Sequence, residues 1–377
     1  MKCRFGIFIL LLMLVISSVQ GQDNTPFTVN LQLNPGPNNP RNSEGDFITL
    51  KDGRILYIYS HFMGKSSSDF GSSHLASRYS DDNGETWSAS DKIEVENEGA
   101  MNVMSVSLLR LQNGDIALFY ARKNSINDCI PQMRISKDEG QSWSDPISCI
   151  TDYPGYYVLN NDRVIQLKNG RLLLPVALHE SKEKANNHLG HKFNNKGVIY
   201  CYYSDDNGQT WKKKNAIKIS DDITAQEPGL VELNNGHVLM FIRTDAGVQY
   251  QSISKNKGKT WSDAQPTDIP SPLSPASIET IPNTNDLVLV WNNNGVKGGT
   301  YRNKRSPFNI AISQNQGLTW KNVKTIHDDA DGWYCYTAIH FINDKEFLLS
   351  YCAGNRPAGT GLSVTNISKF NTSYLYE

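Results

Sequence analysis

No stretch of the chain carries a sustained 3.6-residue apolar period, which argues against a helical architecture. Charge of one sign is also lacking: 37 basic residues face 38 acidic ones, for a net charge of −1. Nucleic acid and anionic membrane surfaces both require a basic surplus, so neither is expected as the main partner. Cysteine is sparse, with six residues and no CxxC pair, which argues against a thiolate zinc site and against a disulfide framework. The five cysteines beyond Cys3 are read as ordinary buried thiols, with Cys129 and Cys149 as one candidate pair. No Pro-rich or Ser-rich linker and no break in composition divides the chain, so residues 22–377 are expected to form one domain, and a monomer.

Long apolar runs are absent except at the start, where Phe5 to Ile16 follow Lys2 and Arg4. That run is too short to span a bilayer comfortably, and Val19 and Gly21 are placed for cleavage before Gln22. Residues 1–21 therefore read as a signal peptide, and the mature protein is expected to be secreted or periplasmic with no membrane span. Aromatics are plentiful, with 17 Tyr and 7 Trp, enough for a core and for a ligand cleft.

One phrase recurs five times. SDDNGETW at 80–87 and SDDNGQTW at 204–211 are the strongest copies; SKDEGQSW at 136–143, SKNKGKTW at 254–261 and SQNQGLTW at 313–320 follow the same pattern. Five of the seven Trp residues close a copy. Ser and Asp or Asn bond local backbone in turns, Gly supplies a positive φ, and Thr-Trp restarts a strand. Each copy is expected to fold one hairpin. A fainter repeat, such as LKDGRILYI from 50 and LNNGHVLMF from 233, marks six tight turns at Gly53, Gly114, Gly170, Gly236, Asn285 and Asp344. Six units, each read as one four-stranded sheet arranged radially, predict an all-β, six-bladed β-propeller.

The turn phrase resembles the Asp box of the sialidase (neuraminidase) superfamily. The resemblance implies a glycan substrate whose carboxylate is gripped by arginines, a Tyr nucleophile ionised by a Glu, and an Asp acid/base on a loop. No metal or organic cofactor is then needed. Glu227 and Arg243, sixteen residues apart in AQEPGLVELNNGHVLMFIRTDAG, match the family's Glu–strand–turn–strand–Arg segment. Arg305, before SPFNIAISQNQGLTW, resembles the third clamp arginine, with Arg302 and Lys304 close by. Tyr336 in GWYCYTAIHF resembles the nucleophile segment; Tyr334, read as sharing its strand face, competes for the role. Arg41 stands where the family has Arg-Ile-Pro, but this chain reads Arg-Asn-Ser. Asp69, in a Ser- and Gly-rich stretch, falls where the family's acid/base lies.

Two departures accompany these matches. Asn102 stands where the family often carries an Asp that contacts the substrate's amide substituent. Arg163, in VLNNDRVIQL with Asn160, Asn161 and Asp162, is an additional arginine read as a possible contact for a second acidic or hydroxyl group. The resemblance thus implies a retaining exo-acting sialidase, or a relative that removes another acidic sugar. A propeller hydrolase or lyase acting on a different acidic or deoxy polysaccharide, and a non-catalytic glycan-binding propeller, stand as alternatives.

Overall fold

The structure, a computed structural model, describes residues 26–180, 194–295 and 304–377. The expected signal peptide and Arg302 lie outside the described residues. Strands dominate; the helical content of the described residues is one 3-10 turn at Thr372–Leu375. No helix among them is long and apolar enough to cross a membrane.

The strands fall into six sets in chain order. The first runs Asn42–Thr49, Ile55–Phe62, Ser73–Ser80 and Lys92–Val95, antiparallel throughout. The fourth (Ala225–Glu232 to Gln265–Pro270) and the fifth (Ser277–Thr280 to Lys321–His327) repeat that order. The sixth combines Gly332–Phe341, Glu346–Asn355 and Thr365–Asn371 with Phe27–Leu33 from the other end of the chain. The expectation of six separate four-stranded sheets fails at the second and third sets. Tyr156–Val158 pairs with Leu172–His179 and also runs parallel to Asp128–Ser136, so the two sets fuse into one nine-stranded sheet.

The recurring phrase folds the same way each time, in the turn that leaves the third strand of a set. In the copy at 204–211, Asp206 accepts from Ser204 Oγ at 2.7 Å, from the Thr210 amide at 2.8 Å and from Thr210 Oγ1 at 2.6 Å. Ser204 Oγ in turn accepts from the Gly208 amide at 2.8 Å. The glycine has two reasons to be there. Its φ is positive, and an added Cβ would meet a side chain of the preceding set: Gly208 meets Met133, Gly258 meets Leu173, and Gly84 of the first set meets Leu348 of the sixth. The residue before each of these glycines is also left-handed, from Asn83 to Gln316, a feature the residue types alone do not announce.

The first strands of the sets converge, and polar ties lock them together. Asp46 accepts from its neighbour Phe47 N and from Leu108 N of the second set, both at 2.7 Å. Asn161 Nδ2 donates to Gly45 O at 3.0 Å and to Tyr336 O at 3.1 Å, joining the third set to the first and sixth. Asp162 accepts from Ile339 N at 3.1 Å, and Ser277 Oγ donates to Thr337 O at 2.7 Å. Burial pushes the acids of this hub upward, Asp162 to about 7 and Glu279 to about 8.

The clasp and the hub each predict a change in stability. Removing the clasp with Asp206→Ala deletes three hydrogen bonds and costs about 1–2 kcal/mol, read as a lower denaturant midpoint at unchanged slope. The hub acids bind protons more tightly folded than unfolded, so their contribution is full below about pH 4 and is lost as pH rises to about 8. The thermal midpoint therefore falls across that window. Asp162→Asn should flatten the fall, and an unchanged slope would count against the assignment.

Candidate active site

The ladder of the first strand breaks at the same place in four of the six sets: between Ser43 and Asp46, Met104 and Ser107, Gln226 and Gly229, and Cys335 and Ala338. At each break stands a non-glycine residue with positive φ: Glu44 (56°), Ser105 (64°), Glu227 (40°) and Tyr336 (55°). Such bulges re-aim a side chain and cost of order 1 kcal/mol each, a strain characteristic of functional sites. All four side chains line one cavity of about 720 Å³, the size of a small-ligand site.

The bulge also sends the two tyrosines to different places. Tyr334 and Tyr336 do not share a face, because the irregularity after Cys335 reverses the alternation. Tyr334 stacks on His327 at 4.6 Å inside the core of the fifth and sixth sets. Tyr336 lines the cavity. Burial holds its phenol well above the ordinary value; the Glu227 charge adds to that and Arg305 opposes it.

Glu227 accepts from Arg243 Nη1 at 2.5 Å, and both line the cavity. Arg305 joins them, its guanidinium 5.1 Å from the Tyr336 ring and 5.0 Å from Trp333. Arg243 Nε and Arg305 Nη1 are buried with no hydrogen-bond partner among the described residues. Two orphaned guanidinium donors on one wall suit an anion.

Asp69 also lines the cavity, about half exposed, with its carboxylate 2.6 Å from Arg41 Nη1. Burial pushes Asp69 up, but Arg41 and then Lys123 outweigh it and hold the acid at about 2. Its loop is latched from behind: Lys123 Nζ donates to Asp69 O at 2.7 Å, and Asn102 Nδ2 donates to Asp69 O at 2.9 Å and Gly71 O at 2.7 Å.

Three expected contacts do not reach the cavity wall. Arg41 is wholly buried: Nε donates to Ser43 at 2.8 Å, Nη2 to Glu44 at 2.5 Å and Nη1 to Asp69, and the group stacks on Phe62. Asn102 is buried, and its amide is spent on the Asp69 loop, so it positions that loop in place of meeting a ligand. Arg163 spans the hub, donating to Ala276 O at 2.7 Å and Ser277 Oγ at 3.3 Å while its guanidinium lies over Phe241. It is a strut between the third and fifth sets.

Residues not anticipated complete the wall. Glu44, Ser105, Lys123, Trp333 and Arg356 all line it, and Arg356 stacks on Trp333 at 4.2 Å. Glu44 bridges Arg41 and the Ser105 hydroxyl; burial pushes its acid up while Arg41 opposes. A signal for two of these was present. Glu44, Ser105 and Glu227 each stand nine residues before a turn glycine, Gly53, Gly114 and Gly236. The offset marks the bulge once one bulge residue is known. Lys123 sits on the strand Ile116–Ser125 and Arg356 in the turn after Glu346–Asn355, and no spacing ties them to the repeats.

Comparison with known proteins agrees with this arrangement. The BNR repeat-like domain family matches residues 76–348. A sialidase of Paraclostridium sordellii is 26% identical over 237 residues, covering 56% of this chain and 55% of that protein; the chain thus spans about half the length of that curated relative. An anhydrosialidase of Macrobdella decora is 30% identical over 161 residues, 40% of this chain and 19% of that protein. Among solved structures, an intramolecular trans-sialidase from Ruminococcus gnavus superposes with a TM-score of 0.70 at 16% identity, covering 90% of this chain and 96% of that one. At that identity the likeness is one of fold. The matched family, the relatives and the shared fold together make this chain a member of the BNR repeat-like family within the sialidase superfamily.

Proposed function

We propose that the protein is a sialidase-type glycoside hydrolase that removes a terminal acidic sugar from glycans. The observation that carries this is the convergence of Glu227, Tyr336, Arg243, Arg305 and Asp69 on one cavity. The six strand sets, with the glycine of each recurring phrase seated on the set before it and that of the first set on the sixth, are read as the six blades of a β-propeller with that cavity at its hub. The same reading makes residues 22–377 one exported domain.

In the proposed reaction the sugar carboxylate lies against Arg243 and Arg305, whose unpartnered donors it satisfies. Tyr336 attacks the anomeric carbon as Glu227 takes its proton. A neutral phenol backed by a carboxylate avoids the repulsion that an anionic nucleophile would meet from the sugar's own charge. Asp69 protonates the leaving oxygen and then activates water, so two displacements retain configuration. Asp69 is held ionised by its cations; an arriving carboxylate offsets part of that field and raises Asp69 toward a working acid.

The state of Arg41 favours a sugar other than the commonest sialic acid. Its Nε, Nη2 and Nη1 already bond Ser43, Glu44 and Asp69, so of the three arginines the family resemblance implies as a clamp, Arg243 and Arg305 are the two on the cavity wall. The substrate panel must therefore be broad.

Two experiments test the proposal. A fluorogenic sialoside assayed beside other acidic glycosides should give turnover on at least one, with a saturated sugar as product by mass. An unsaturated product would instead identify a lyase, and silence on every member would leave a glycan-binding protein. Tyr336→Phe should lower kcat by on the order of 10³-fold, the scale on which single catalytic groups act, with sugar affinity kept within a few fold. Retained turnover would remove Tyr336 from the chemistry.

A further inference from the structure

Behind the cavity wall lie two thiols that the proposed reaction does not use. Cys335 immediately precedes Tyr336 on the strand Gly332–Phe341, and Cys352 lies on the adjacent strand Glu346–Asn355. The ladder register sets them directly opposite one another. Each is 1% exposed, and the two share a cluster with Trp333 and Tyr336. Directly opposed residues of an antiparallel pair have Cα atoms about 4.5–5.5 Å apart. Disulfides span Cα separations of about 4.4–6.8 Å, so the register brings the two within bonding reach. Cys352 Sγ donates to Leu362 O at 3.8 Å.

The other three cysteines have no such arrangement. Cys129 stands opposite Lys123, and Cys201 opposite Pro175. Cys149 follows the end of its short strand, and its amide bonds Pro131 O. The pairing is therefore particular to 335 and 352. Chemistry favours the same pair. Burial pushes the Cys335 thiol up, but the neighbouring Cys352 thiol and the adjacent Arg305 guanidinium pull it below its ordinary value. That makes Cys335 the attacking sulfur and Cys352 its partner.

We propose that Cys335 and Cys352 are a disulfide site, closed by oxidants, that staples the strand bearing Tyr336 to its neighbour. Closure joins the two sulfurs and releases two protons and two electrons. A diazene oxidant such as diamide accepts both hydrogens across its N=N bond and leaves as the hydrazine. The staple lies next to the bulge that turns Tyr336 into the cavity, so it restrains the most strained part of that strand. It also replaces an ionisable thiol beside Arg305 with a neutral disulfide sulfur.

The full chain, treated with diamide, alkylated and digested without reduction, should yield a peptide pair joining Cys335 to Cys352. Cys129, Cys149 and Cys201 should carry the alkyl group, and dithiothreitol should abolish the linked pair. The oxidised chain should melt roughly 3–5 °C higher than the reduced chain, a gap that Cys352→Ser removes. Absence of the linked pair overturns the proposal, and so does a linked pair with no rise in melting temperature. On the function proposed above, oxidation also lowers KM for the acidic glycoside about threefold by freeing Arg305, the scale of one modest hydrogen bond. An unchanged KM overturns that last step alone. If no acidic glycoside is turned over, the proposed function fails while the peptide map and melting curve still decide the disulfide.

Discussion

Everything at the site depends on how the first strands are tied together where they meet. Asn161, Asp162 and Arg163 cross between them: Asn161 bonds the first and sixth sets, Asp162 the sixth, and Arg163 the start of the fifth. Asn161 alone holds the backbone beside Glu44 and the carbonyl of Tyr336. Buried polar ties of this kind are directional, so they fix register as well as proximity. Without them the strained residues 44, 105, 227 and 336 would have no common target.

The strain is the second half of the arrangement. A flat strand would send alternate side chains to its two faces, toward the neighbouring sets and not into the centre. In four of the sets one left-handed residue breaks that alternation and delivers a side chain to the cavity. The residue delivered differs by set: a carboxylate, a hydroxyl, a second carboxylate and a phenol. The same backbone device thus supplies different chemistry from each direction, and the cavity's character depends on which residue stands at the bulge. Arginines reach the wall by another route, from the second strand of the fourth set and from the segment leading into the fifth set's third strand.

Charge then organises what the bulges deliver. The cations Lys123, Arg243, Arg305 and Arg356 share the wall with Glu44, Asp69 and Glu227. Arg243 is held by Glu227, and Arg41 by Glu44 and Asp69, so the wall keeps its order without a ligand. Arg305 has ring faces and the Cys335 sulfur around it and no carboxylate partner in an ion pair among the described residues. A guanidinium so placed beside Tyr336 on the cavity wall suits an external anion.

The repeated turns were legible in the sequence because their chemistry is local: Ser, Asp, Gly and Thr within seven residues bond only one another. The Glu227–Arg243 pairing was legible for a similar reason, since one hairpin joins them. Arg163 and Asn102 were misread as ligand contacts because their partners, Ala276 and Asp69, come from distant or irregular segments that no local pattern announces. Tyr336 could not be separated from Tyr334 by alternation, because a bulge cancels the period of two on which such reasoning rests. The sequence by itself determined which segments turn, which run extended and which hairpin carries the Glu–Arg pair. Only the tertiary structure decided which side chains face the shared cavity, because that depends on backbone strain held in place by strands remote in the chain.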